Sequence, residues 1–173
     1  MTGRVRPDRS IGGPIYLIGF MGVGKTSVGR LLAARLGLPF LDLDQVIGER
    51  TGLRIPELFQ QRGEDGFRRC EAEALTAVSG RAAVIALGGG APLLAQNRGR
   101  MRETGTVVLL TADVDTLARR LSTPEARGAR PLLQGAAQGT LAARVAELSA
   151  QRAEAYASAD LVVDTAGREP DQI

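Results

Sequence analysis

The chain has 173 residues, 44% hydrophobic and 24% charged, the balance of a globular protein large enough to bury a core. Aromatics make up only 3% and neither Trp nor His occurs, so the core is aliphatic and any acid–base chemistry falls to Asp, Glu, Lys or Arg. The lone Cys70 excludes an internal disulfide, a zinc site lacks its usual ligands, and a net charge of +3 with so few rings for base stacking argues against nucleic acid as a partner.

Residues 1–10 carry three arginines and no apolar stretch, and read as a flexible N-terminal tail. Residues 11–173 read as one domain without a membrane span. Ile15-Tyr16-Leu17-Ile18 is a short apolar run, expected as a buried parallel strand. It leads into Gly19-Phe20-Met21-Gly22-Val23-Gly24-Lys25-Thr26, which fits G-x-x-x-x-G-K-[ST], a phosphate-binding loop. Its glycines let backbone amides close on a ligand, and the free amides of the following helix point into the loop. Lys25 is the only lysine in the chain; all other cations are arginine. A compact ammonium fits between two phosphates, where a guanidinium fork is too wide. Thr26 is placed to offer its hydroxyl to Mg²⁺. Val28, Leu31, Leu32 and Leu36 recur at helical spacing up to Gly37.

Pro39 to Asp42 reads as a second strand, and Asp44–Glu49, Ile55–Gln61 and Gly66–Val78 as helices. Asp42 ends its strand beside the phosphate loop, where a carboxylate can hold Mg²⁺, usually through water. Asp44 either caps the next helix or accepts from a substrate hydroxyl. Arg68 and Glu71 share a helical face, as a plain ion pair or as a carboxylate orienting an arginine toward an anion. Cys70 beside them reads as a small core residue. Val84 to Leu87 is a third strand, running into Gly88-Gly89-Gly90, a flexible turn or a bare backbone against which a substrate lies. Thr106–Leu110 is a fourth strand and Asp113–Leu121 a helix. Residues 122–138 are rich in Pro, Gly, Arg and Gln and read as a mobile excursion containing Arg130. Thr140–Ala157 is a long helix and Leu161–Val163 a fifth strand. The alternation means a parallel sheet with helices on both faces, with ligands at the carboxyl ends of its strands. Three strands end there in chemically loaded groups, so those ends should meet.

These pieces, G-F-M-G-V-G-K-T, D-L-D, F-R-R-x-x-E, G-G-G, A-R-P-L-L, Q-R-x-x-x-Y and V-D-T, resemble shikimate kinase in kind and order from Ile15 to Pro170. The resemblance implies an α/β, three-layer P-loop kinase fold with five parallel strands in the order 2-3-1-4-5 and a mobile lid at about 122–138. It implies transfer of a phosphoryl group from ATP, with Mg²⁺, to the 3-hydroxyl of shikimate. Without a membrane span, a signal-peptide core or a disulfide, the chain reads as a cytoplasmic enzyme, expected as a monomer. Carried onto this sequence, Gly22, Val23, Gly24, Lys25, Thr26 and Ser27 wrap the phosphates and Thr26 and Asp42 serve the metal. Asp44, Arg68, Gly89 and Arg152 bind shikimate. Arg130 is the lid arginine and Arg168 lies beside the adenine. The chain departs from the family at Leu43, between the two aspartates, and at Ala153-Glu154-Ala155 after Arg152. Thr123-Pro124-Glu125 enlarges the lid and loosens the match of Arg120 to a second nucleotide-contacting arginine.

A kinase for another hydroxy acid such as gluconate shares the phosphate loop but not the paired arginines. A non-catalytic nucleotide-binding relative is expected to have lost Lys25, Asp42 or Asp44. A guanine-nucleotide switch needs an Asn-Lys-x-Asp motif, which a chain with one lysine in its phosphate loop cannot hold.

Overall fold

The computed structural model describes residues 12–123 and 138–173. The expected tail and most of the expected lid, with Arg130, lie outside them. Five parallel strands, β1 (Ile15–Ile18), β2 (Phe40–Asp42), β3 (Val84–Ala86), β4 (Thr106–Thr111) and β5 (Leu161–Asp164), form one sheet in the order β2-β3-β1-β4-β5. All neighbours pair in parallel. The strand order and the α/β P-loop kinase architecture are those expected.

The central strands β1 and β3 are buried on both faces, so their residues alternate between two cores, while the edge strand β5 is largely exposed. Tyr16 and Ile18 of β1, with Ile85 and Val107, pack against Leu43, Ile47, Leu58, Leu75 and Met101 from the helices on one side. Leu17, between them, packs with Ala33 and Val84 toward α1 (Lys25–Leu36) on the other side. A third cluster joins Leu110 to Leu117 and Leu121 and to Leu141, Val145 and Leu148. Those residues tie β4 to α5 (Val114–Arg120) and α6 (Gln138–Tyr156).

Helix limits follow from local chemistry. α1 ends where the Gly37 N–H bonds the carbonyls of Ala33 and Ala34. The Asp113 side chain caps α5, accepting from the Thr116 N–H at 2.7 Å. α2 (Leu43–Thr51) begins at Asp42, whose Oδ1 accepts from the Asp44 N–H at 3.1 Å. The cap is therefore Asp42, and Asp44 is free of the capping task that competed for it in the sequence.

Two expected helices, Ile55–Gln61 and Gly66–Val78, adjoin across a sharp break. α3 runs from Ile55 to Val78 and breaks at Gly63, with φ 66° and ψ −175°. Those angles suit glycine almost alone. α4 (Ala95–Thr104) has no counterpart among the expected elements. Only Asn97 and Met101 of its side chains are buried, too few to give a helical period. No described helix is long and apolar enough to cross a membrane.

Candidate active site

The register aligns Asp42 with Ala86 and Leu17 with Ala86, so β2, β3 and β1 finish level. Their extensions line one cleft of about 430 Å³ at the carboxyl edge of the sheet. Gly22, Gly24, Lys25, Thr26 and Ser27 line it together with Asp42, Asp44, Arg68, Glu71, Gly89 and Arg152. Sequence separation between these groups exceeds a hundred residues, and the topology alone brings them together.

The phosphate loop is drawn tight by its own lysine. Lys25 Nζ donates to the carbonyls of Gly19 and Phe20 at 2.9 and 3.0 Å. Thr26 Oγ1 donates to Asp42 Oδ2 at 3.3 Å, which sets a hydroxyl beside a carboxylate at the start of α1. Val23 differs from its loop neighbours. Its side chain is buried at 1% exposure in the α5–α6 core, so only its backbone faces a ligand.

Two arginines of the cleft are deeply set. Arg68, on α3, donates to Glu71 Oε2 at 2.8 Å and to Glu64 Oε1 at 3.3 Å, with its guanidinium 5.2 Å from the centre of the Phe67 ring. Arg152, on α6, is 4% exposed and stands 5.2 Å over the ring of Phe20 from the phosphate loop. Its Nη1 is buried and has no hydrogen-bond partner among the described residues, and neither has Glu71 Oε1. A guanidinium N–H held out of water without an acceptor is costly and fits an anion brought in from outside. One turn along α6, the Tyr156 hydroxyl donates to the Gly89 carbonyl at 2.7 Å, bracing the glycine triplet. The Q-R-x-x-x-Y spacing puts both residues on one face. Burial raises the Tyr156 pKa and keeps that donor protonated, against a smaller opposing pull from Arg152. Phe59 and Phe67, stacked at 4.4 Å between centroids, add an apolar wall.

The family model for shikimate kinase matches residues 21–173. The chain belongs to the shikimate kinase family. A shikimate kinase of Geobacter sulfurreducens is 44% identical over 167 residues, covering 95% of this chain and 88% of the relative. The structure of the Acinetobacter baumannii shikimate kinase in complex with shikimate matches with a TM-score of 0.85 at 36% identity, over 94% of this chain and 88% of that one. A gluconokinase of Sinorhizobium meliloti shares the fold at a TM-score of 0.57 and 20% identity.

Arg168 is not part of the cleft. It sits exposed in the turn after β5, where its N–H reaches the Thr165 carbonyl at 3.5 Å. Arg120, which sequence left uncertain, lines the cleft instead. Its Nη1 donates to Gly22 O and to Thr165 Oγ1, both at 3.2 Å, and its Nη2 to Thr165 O at 2.9 Å. Thr165, fully buried, has its hydroxyl 3.0 Å from both Val23 O and Thr111 O. Together they strap the phosphate loop to the end of β5. The V-D-T motif contains this threonine, but its spacing gives no sign that the partner is the loop. Cys70 is half-buried, packed against the core rather than within it, with Arg62 Nη1 3.6 Å from its sulfur.

Proposed function

We propose that this chain transfers the γ-phosphoryl group of ATP to the 3-hydroxyl of shikimate, giving shikimate 3-phosphate for aromatic amino-acid biosynthesis. One observation carries the reading: two deeply set guanidiniums, Arg68 from α3 and Arg152 from α6, line the same cleft as a phosphate-binding loop. A substrate with a carboxylate at one end and a reactive hydroxyl at the other spans such a cleft. A neutral polyol has no use for the second arginine.

In this reading Gly22, Gly24, Lys25, Thr26 and Ser27 hold the triphosphate, with Val23 contributing backbone only. Thr26 and Asp42 suit Mg²⁺, since their oxygens stand 3.3 Å apart and both are hard donors. The ion, bound with ATP, supplies positive charge to the phosphate oxygens. Lys25 adds charge on the γ-phosphoryl group, and Arg130 reaches it from the lid. Arg68 and Arg152 grip the carboxylate, and Asp44 and the Gly89 backbone fix the ring hydroxyls. The 3-hydroxyl oxygen forms the new bond to phosphorus as the bond to the bridging oxygen of ADP breaks, and Asp42 receives the hydroxyl proton. Binding energy from the remote carboxylate thus aligns the reacting atoms. Arg120 holds the phosphate loop beside the nucleotide, and Arg168 lies near the base. We place the enzyme in the cytoplasm as a monomer, with residues 11–173 acting as one domain.

The test is ADP release by the purified protein with shikimate, set against gluconate and other hydroxy acids. Turnover confined to shikimate supports the reading. Equal turnover with gluconate favours a general hydroxy-acid kinase, and binding of ATP without turnover favours a non-catalytic relative.

A further inference from the structure

Gly88, Gly89 and Gly90 each stand against a different charged group of the cleft. A Cβ on Gly88 would lie 3.0 Å from Glu71 Oε1 and 3.3 Å from Asp44 Oδ1. One on Gly89 would lie 2.9 Å from Arg152 Nη1. One on Gly90 would lie 2.5 Å from Arg68 Nη1 and 2.7 Å from its Cζ, with Nη2 closer still. None of the three has a positive φ, so a left-handed conformation does not explain these glycines, although a Cβ on Gly89 would also lie 3.3 Å from the Gly19 carbonyl oxygen. At Gly90, φ is −98° and ψ −11°, angles open to any residue. The three atoms nearest to its missing Cβ all belong to the Arg68 guanidinium.

Arg68 is also held by two carboxylates and a ring. Glu71 holds it at 2.8 Å, Glu64 at 3.3 Å, and the Phe67 ring lies 5.2 Å away. Its depth in the cleft is therefore set by how closely it can lie on the backbone at position 90. We propose that Gly90 is a positioning residue for substrate selection. Its missing side chain seats the Arg68 guanidinium flat on the chain and so fixes the distance of the carboxylate clamp from the phosphate loop. A methyl group there displaces the guanidinium by roughly 1 Å, a shift large enough to misalign a bound substrate. The inference rests on the shikimate kinase reading above.

The experiment is a double-mutant cycle on Gly90→Ala and Arg68→Ala, measured as kcat/KM with shikimate, the separate KM for shikimate and for ATP, and thermal unfolding. Gly90→Ala alone should lower kcat/KM about tenfold or more, through a higher KM for shikimate, with the KM for ATP within about twofold of wild type. In the Arg68→Ala background the same change should cost less than about twofold, because the group it displaces is gone. Equal cost in both backgrounds, or an equal rise in the KM for ATP, overturns the inference. If Gly90→Ala does not fold, the double variant must fold; a double variant that also fails shows that the backbone itself needs the glycine, and overturns it. A wild type inactive on shikimate removes the functional reading, whereas an active wild type with an additive cycle removes only the role of Gly90.

Discussion

Arg68 Nη1 donates to Glu71 Oε2 at 2.8 Å, and the acceptor side chain is 1% exposed against 14% for the donor. Burial of the Glu71 carboxylate outweighs the pull of Arg68. Asp44 adds to the rise and Arg152 opposes it, and the pKa is lifted from 4.5 to about 7. A buried group lining the cleft thus titrates near neutral pH.

That shift fixes a stability profile. The folded protein holds this proton more tightly than the unfolded chain between pH 4.5 and about 7. The contribution, on the order of 3 kcal/mol, is complete below the unfolded pKa and is lost as pH rises through the folded one. Glu71→Gln cannot ionise and lacks this component. Thermal unfolding from about pH 5 to pH 8 should show the wild-type Tm falling relative to that of the glutamine variant. Parallel profiles would mean that Glu71 titrates like an exposed carboxylate.

Lys25→Arg should retain charge while losing turnover by orders of magnitude. The guanidinium cannot reproduce the two short bonds from Nζ to Gly19 O and Phe20 O within so tight a loop. Circular dichroism should show an unchanged fold. Near-normal turnover in a folded variant would contradict the role of the loop lysine.

The two aspartates should separate cleanly. Asp42→Asn keeps an acceptor for the Asp44 N–H, so the α2 cap and the Tm should hold, while turnover falls and the Mg²⁺ dependence changes. Asp44→Asn should raise the KM for shikimate and leave that for ATP nearly unchanged. Titration of each ligand against each variant checks this; an equal loss of ATP affinity in both would show the pair misassigned.

Much of this architecture was legible because it rests on strong local signals. The apolar run at Ile15, the loop at Gly19 and the sharp end at Gly37 mark β1 and α1 without tertiary information. α4 was not legible, since a helix that buries only Asn97 and Met101 has no periodic face. The break within α3 was legible, because Gly63 falls between the two expected helices and takes a φ that ends the helical run there. At the site, motifs named the charged residues and the local pair Arg68–Glu71, but not the partners distant in sequence. That Asp42 rather than Asp44 caps α2 is a local choice between two near-adjacent carboxylates, whereas the strapping of the phosphate loop by Arg120 and Thr165 depends on contacts between segments up to 142 residues apart.

The central claim is that Arg68 and Arg152 read a carboxylate. Each charge-assisted bond contributes about 1.5–3 kcal/mol, so either arginine-to-alanine change should lower kcat/KM for shikimate about ten- to a hundredfold. The decisive measurement is kcat/KM for shikimate and for its neutral carboxamide with wild type, Arg68→Ala and Arg152→Ala. Wild type should discriminate against the amide about as strongly as it suffers from losing an arginine, and both variants should discriminate much less. Variants that reject the amide as strongly as wild type would contradict the assignment of these arginines, and with it the main physical support for shikimate as the substrate.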